Sequence, residues 1–146
     1  MEILFVCTGN TCRSPMAELY FNFCCQKLGA QSRAHSCGIA TDDGLPISRN
    51  AALVMQSVDI DSSKFRSQMA TDELIAQSDL IFTMTSSHKN ALLRHFPQAQ
   101  NKISTLLPNC DVPDPFGGTF DIYMATFNSF RKQIEVLAKT IAAKER

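Results

Sequence analysis

The opening stretch of the chain constrains the fold more than any other. Glu2 to Val6 is short, almost wholly apolar and β-prone, the pattern of a strand buried on both faces. It runs into the loop Cys7-Thr8-Gly9-Asn10-Thr11-Cys12-Arg13, after which Ser14 is a good N-cap and Pro15 a good first helical residue. Met16, Leu19, Tyr20 and Phe23 share one face of the helix that follows, and Gly29 stops it. A strand that enters a helix through a tight loop asks for a right-handed crossover to a parallel neighbour.

The rest of the chain supplies the neighbours. Arg33 to Ile39, Asp79 to Met84 and Lys102 to Leu106 read as further strands. Between them, Ser48 caps a helix with Ala51, Val54 and Val58 inward, and Thr71 opens a short helix with acids in its first turn. Ser86 or Ser87 caps another helix that ends near Phe96-Pro97. A loop rich in Pro, Gly and Asp spans Pro108 to Gly118. The closing helix, from about Asp121, carries Met124, Phe127, Phe130, Ile134, Leu137 and Ile141 at spacings of three and four. Strands alternating with helices predict one α/β domain over residues 1–146, a parallel sheet with helices on both faces. Ligands in such folds bind beyond the carboxyl ends of the strands, which is where Cys7 stands.

Composition narrows the function classes. A 146-residue chain that is 45% apolar can bury one proper core. Lys plus Arg and Asp plus Glu number 14 each, so no charge imbalance draws nucleic acid or an anionic membrane. No apolar run approaches the ~20 residues that cross a bilayer. Met1 to Val6 has no basic leader and is shorter than a signal-peptide core, so a cytoplasmic location is expected. Of the six cysteines, Cys24 and Cys25 are adjacent in a predicted helix, poor geometry for a mutual bridge. No two C-x-x-C pairs occur at zinc spacing. Reduced thiols, no metal and no cofactor are expected.

The loop after the first strand carries the chemistry. Five residues separate Cys7 from Arg13, and Ser14 follows. A loop that wraps from a strand end into a helix turns successive backbone N–H groups inward as an anion nest. Gly9 and Asn10 tolerate the positive φ that a tight wrap requires. Arg13 offers a planar fork matched to phosphate oxygens. A thiol at Cys7 gains from the same amides, the helix N-terminus and Arg13, so the thiolate is favoured, and Ser14 can hydrogen-bond it and help it leave. An activated nucleophile inside a phosphate cradle points to a phosphoenzyme route. The leaving group then needs a proton from a positioned carboxyl. Among Asp111, Asp114 and Asp121, Asp114 stands in Asp114-Pro115-Phe116-Gly117-Gly118, stiffened by prolines, with Phe116 as an apolar wall that favours the protonated acid and stacks on a substrate ring.

With these two motifs at opposite ends, the sequence resembles the low-molecular-weight protein tyrosine phosphatases, bacterial type, over essentially its whole length. The resemblance implies a four-stranded parallel sheet and metal-independent catalysis through a phosphocysteine on a phosphorylated protein, by a monomer or weak dimer. It casts Cys7 as nucleophile, Arg13 as clamp, Ser14 as thiolate stabiliser and Asp114 as acid, then base. Asn10, aided by Ser36, holds the loop in shape, and Thr8, Gly9, Thr11 and Cys12 complete it. In this family a residue at the Cys12 position can form a reversible disulfide with the nucleophile. Several positions depart from the pattern. The family often has a His before the third helix that joins the network of Asn10, where this chain reads Ser62-Ser63-Lys64-Phe65-Arg66-Ser67-Gln68. Phe116 and Gly117 stand where eukaryotic-type members have two tyrosines. Phosphotyrosine-directed members often carry a bulky aliphatic residue at the position of Thr11. The bacterial protein-arginine-phosphatase subgroup is similar to this chain in having Thr there, together with Thr8 and the Asp-Pro-Phe-Gly-Gly string.

The expected activity is therefore hydrolysis of phosphotyrosine-type monoesters through a phosphocysteine, with phosphoarginine as the alternative suggested by Thr11. A third reading, arsenate reduction on the same loop, needs a late pair of cysteines, and only Cys110 follows Cys37. A non-catalytic phosphate-binding module would not need Cys7, Arg13, Ser14 and Asp114 together.

Overall fold

The computed structural model describes residues 1–146. Four strands, β1 (Glu2–Cys7), β2 (Arg33–Gly38), β3 (Leu80–Thr83) and β4 (Ile103–Thr105), alternate with five helices. These are α1 (Arg13–Leu28), α2 (Arg49–Ser57), α3 (Asp72–Gln77), α4 (Ser86–His95) and α5 (Phe120–Lys144), with a short 3-10 segment, Pro97–Lys102, leading into β4. Every strand pair is parallel and the order is β2-β1-β3-β4.

The unbroken apolar run of β1 from Ile3 to Cys7 makes it an interior strand, because such a run has to be covered on both faces. Its alternate residues enter different cores. Ile3, Phe5 and Cys7 pack among Met16, Phe21, Val54, Phe127 and Phe130 from α1, α2 and α5. Leu4 and Val6 face the other way, toward Ile75, Ile81 and Leu92. Each such side chain, fully buried, contributes about 1.5–3 kcal/mol of transfer free energy. The fold is thus the expected four-stranded parallel sheet, and β1 lies where the strand order reverses. Cys7 ends β1 at this switch point, beside the end of β3, so the crevice for ligand lies between the two loops that leave those strands.

Several local expectations change. The first helix begins at Arg13 with Cys12 at its N-cap position, and Ser14 lies inside the first turn because its hydroxyl is bonded elsewhere. Gly29 does end that helix, at φ 68°, its left-handed turn closing on the carbonyls of Cys25 and Gln26. Ser48 occupies the N-cap position of α2 but its side chain makes no cap bond, and Val58, at the C-cap, still packs partly buried against the core. The cap of α4 is Thr85, whose Oγ1 accepts from the His88 N–H at 3.1 Å, rather than Ser86 or Ser87. Lys102 belongs to the 3-10 segment, which shortens β4.

Candidate active site

Cys7 forms the floor of a cavity of about 260 Å³ lined by every loop residue from Thr8 to Arg13 and, from the far end of the chain, by Asp114 and Phe116. The buried Cys7 Sγ lies 2.8 Å from Ser14 Oγ and accepts the Asn10 N–H at 3.3 Å. Asn10 has φ 54°, the left-handed conformation that Asn tolerates better than most residues. It is fully buried, and its side chain is satisfied on every side: Nδ2 donates to Ser14 Oγ and to Ser36 Oγ, each at 2.9 Å, and Oδ1 accepts the Gln68 N–H at 2.9 Å.

This pattern fixes the direction of the network. Ser14 Oγ accepts from Asn10, so its own proton is free to point at the Cys7 sulfur. Ser36 likewise accepts from Asn10 and donates to Glu18 Oε1 at 2.7 Å. Burial pushes the Glu18 carboxyl up to about 7, against the opposing pull of the Ser36 hydrogen bonds. The positive φ expected of Gly9 and Asn10 belongs to Asn10 alone. The support that a His often gives Asn10 comes here from the backbone of Gln68, whose side-chain Nε2 also donates to the Ser36 carbonyl at 3.0 Å. A backbone N–H needs no particular side chain, which is why the missing His does not leave the network open.

Arg13 is buried, with Nη1 donating to the Val112 carbonyl at 3.1 Å and Nη2 at 3.9 Å from Asp114 Oδ2. The Val112 N–H bonds the Met84 carbonyl at 2.8 Å, which pins the Asp114 loop to the end of β3. Asp114 Oδ1 accepts the Phe116 N–H at 3.0 Å, an Asx-type turn that stiffens the acid's own segment. The enclosure expected of Phe116 is missing in the free protein: its ring is 84% exposed and the Asp114 side chain 61%. Both still line the cavity, with Phe116 at its exposed edge.

Thr11 fixes Ser48 through its backbone carbonyl, which accepts the Ser48 N–H at 2.9 Å. Its hydroxyl has only a 3.8 Å contact with Cys12 Sγ, too long to commit it. Cys12 donates from Sγ to Ser48 Oγ at 3.3 Å and lies 3.4 Å from Tyr123 OH, which accounts for the idle cap of α2. Three participants were not visible in the sequence: Glu18, Gln68 and His88. His88 is buried with Nε2 2.8 Å from Thr8 Oγ1. The only signal for it was position, since the first turn after β3 must border the same crevice. A larger hollow, about 570 Å³ between Pro46 and Ser63, contains neither thiol nor cation and lies apart from this chemistry.

The model of one family, low molecular weight phosphotyrosine protein phosphatase, matches residues 2–146. The chain belongs to that family. It is therefore a cysteine-dependent protein phosphatase, a hydrolase. It is 34% identical to the protein-arginine-phosphatase of Bacillus subtilis (strain 168), over 97% of each chain. It is 35% identical to the low molecular weight protein-tyrosine-phosphatase PtpB of Staphylococcus haemolyticus, over 87% of this chain and 90% of that one. A solved structure of the arginine phosphatase YwlE, a mutant with a phosphorylated active-site serine, superposes with a TM-score of 0.92 at 34% identity, covering 97% of this chain and 95% of that one. No helix is long and apolar enough to cross a membrane.

Proposed function

We propose that this phosphatase acts on phosphoarginine in proteins through a phosphocysteine on Cys7, and that it retains activity toward phosphotyrosine. The observation that carries the choice of substrate is the uncommitted Thr11 hydroxyl, which lines the cavity and has no partner closer than 3.8 Å. A hydroxyl oxygen there accepts a guanidinium N–H, a group that phenol lacks. The protein-arginine-phosphatase matched over 97% of its length supports the same reading.

In this mechanism the Cys7 thiolate attacks phosphorus and forms the S–P bond as the P–N or P–O bond to the leaving group breaks. Asp114 donates its proton to the departing nitrogen or oxygen. Arg13 spends one Nη1–H on Val112, which anchors the guanidinium, and offers a two-N–H fork to the equatorial oxygens, joined by backbone amides of the loop. Asp114, now a carboxylate, takes a proton from the attacking water. The S–P bond breaks, inorganic phosphate is released, and Ser14 donates to the regenerated thiolate. Asn10 and Ser36 hold the loop, and Phe116 packs on the substrate once bound. Cys12, which lines the same cavity, is the partner for a protective disulfide with Cys7. Residues 1–146 act as one domain, a monomer or weak dimer with no nucleic-acid or membrane partner. A thiol nucleophile of this kind fits the reducing cytoplasm.

The test is kcat/KM on matched phosphoarginine and phosphotyrosine peptides for the wild type and Thr11→Ile. The variant is expected to lose phosphoarginine turnover and to keep or gain phosphotyrosine turnover. A wild-type preference for phosphotyrosine that Thr11→Ile leaves unchanged would return Thr11 to a structural role.

A further inference from the structure

His88 stands in the first turn of α4, only 4% exposed, and its two ring nitrogens differ sharply. Nε2 is 2.8 Å from Thr8 Oγ1, whereas Nδ1 is buried without a hydrogen-bond partner. Burial, with Arg13 adding to it and Asp111 and Asp114 opposing, pushes the imidazole down to about 4, so the ring is neutral at ordinary pH. A neutral imidazole carries one N–H. On Nδ1 that proton would be an orphaned buried donor, which is the costlier arrangement. On Nε2 it is donated to Thr8, and the unpaired site is only a lone pair. The tautomer is therefore Nε2–H.

The consequence falls on Thr8. An oxygen that accepts from His88 keeps its own proton to give, and Thr8 borders the cavity together with Cys7, Arg13 and Asp114. No other side chain holds the Thr8 hydroxyl. We propose that His88 is a positioning residue, whose Nε2–H fixes the Thr8 side chain so that the Thr8 hydroxyl donates a hydrogen bond to the phosphoryl group above Cys7. This rests on reading the cavity as the phosphate site. The phosphoryl group is common to phosphoarginine, phosphotyrosine and the product, so the contact is independent of the leaving group.

The experiment compares Thr8→Val, His88→Leu, His88→Gln and the Thr8→Val/His88→Leu double variant. Each is assayed for kcat/KM on both peptides and for competitive inhibition by inorganic phosphate, with thermal midpoints taken alongside. Thr8→Val is expected to weaken phosphate inhibition and to lower kcat/KM by roughly 3- to 10-fold on both substrates, the range of one hydrogen bond. His88→Leu matches that loss, the double variant adds nothing to it, and His88→Gln, whose amide N–H reaches the place of Nε2–H, restores most of it. Independently, nitrogen-15 NMR of the wild type places the His88 proton on Nε2. Additive losses, a loss confined to one substrate, an unimpaired Thr8→Val, or a proton on Nδ1 would overturn the proposal. None of these touches the dependence on Cys7, so the phosphatase mechanism would stand without it.

Discussion

The loop that carries Cys7 and the loop that carries Asp114 face one cavity, yet they are built differently. Around Cys7, Asn10, Ser14, Ser36 and Glu18 are bonded in a directed series, and Asn10 and Ser14 are fully buried. Asp114 and Phe116 are mostly exposed and are held by one Asx turn and a long contact to Arg13. The difference follows the chemistry. Charge develops on the phosphoryl oxygens in every turnover, whatever the leaving group, so donors aimed there gain from being fixed beforehand. In the proposed mechanism the acid, Asp114, must admit a substrate, reach its leaving atom and release it, and a rigid buried carboxyl would obstruct all three.

The largest effect separates the halves at once. Cys7→Ser is expected to abolish turnover, because an alkoxide is inaccessible at neutral pH where a thiolate is not. The fold stays intact, since a serine oxygen can still accept the Asn10 N–H. Assays on an aryl phosphate and on both peptides decide it, and near wild-type hydrolysis would end the mechanism.

Asp114→Asn tests the open half. General acids contribute ~10²–10⁴-fold, and that loss is expected on phosphoarginine and on phenols of high pKa. p-Nitrophenyl phosphate, whose leaving group needs little protonation, loses far less in its first step. Stability changes by no more than ~0.5 kcal/mol, because the residue is exposed and the Asn Oδ1 can still accept the Phe116 N–H. Equal kinetic losses on all leaving groups would remove Asp114 from the acid's role.

The two halves were also unequally legible. The residues to which the proposed mechanism gives chemistry, Cys7, Arg13, Ser14 and Asp114, stand in short contiguous motifs, and strand-loop-helix order puts Cys7 at a sheet end. The supports of Cys7 are scattered. Glu18 lies in a helix whose apolar stripe drew the reading, Gln68 acts mainly through its backbone N–H, and His88 carries no motif at all. Such contacts are set by packing between distant segments, which periodicity cannot report. Thr71 caps α3 as expected, whereas the side-chain caps expected at Ser14 and Ser48 are absent for a related reason. Ser14 and Ser48 have the side chains of good caps, but the site claims both hydroxyls.

Breaking the closed half is expected to cost stability rather than only rate. Asn10→Ala removes the partner of Ser14, Ser36 and the Gln68 N–H and leaves a Cβ-bearing residue at φ 54° without a side-chain amide. A loss of about 2–4 kcal/mol is expected, from unsatisfied buried groups and backbone strain together. Urea unfolding measures it. A loss as small as that of Asp114→Asn would mean that the network is slack.

The smallest effect concerns the end of that network. The folded protein holds the Glu18 proton up to about 7, against an ordinary value of 4.5, because burial opposes the charge. Between those two values the folded state binds more protons than the unfolded chain, so this group's contribution to stability falls as pH rises from about 4.5 to about 7 and is flat above. His88 works the other way. Its folded value of about 4 lies below the ordinary 6.5, so the unfolded chain takes up the extra proton and stability falls as pH drops through that window. In the wild type the two slopes oppose one another over the range they share. Glu18→Gln keeps an acceptor for Ser36 and removes the charge, so it exposes the His88 slope. Relative to wild type, the variant is expected to gain stability between pH 5 and pH 8, approaching on the order of 3 kcal/mol as an upper bound. Urea midpoints at several pH values check this. An equal gain at both ends of the range would mean that Glu18 is not titrating there, and that the network beneath Cys7 ends at Ser36.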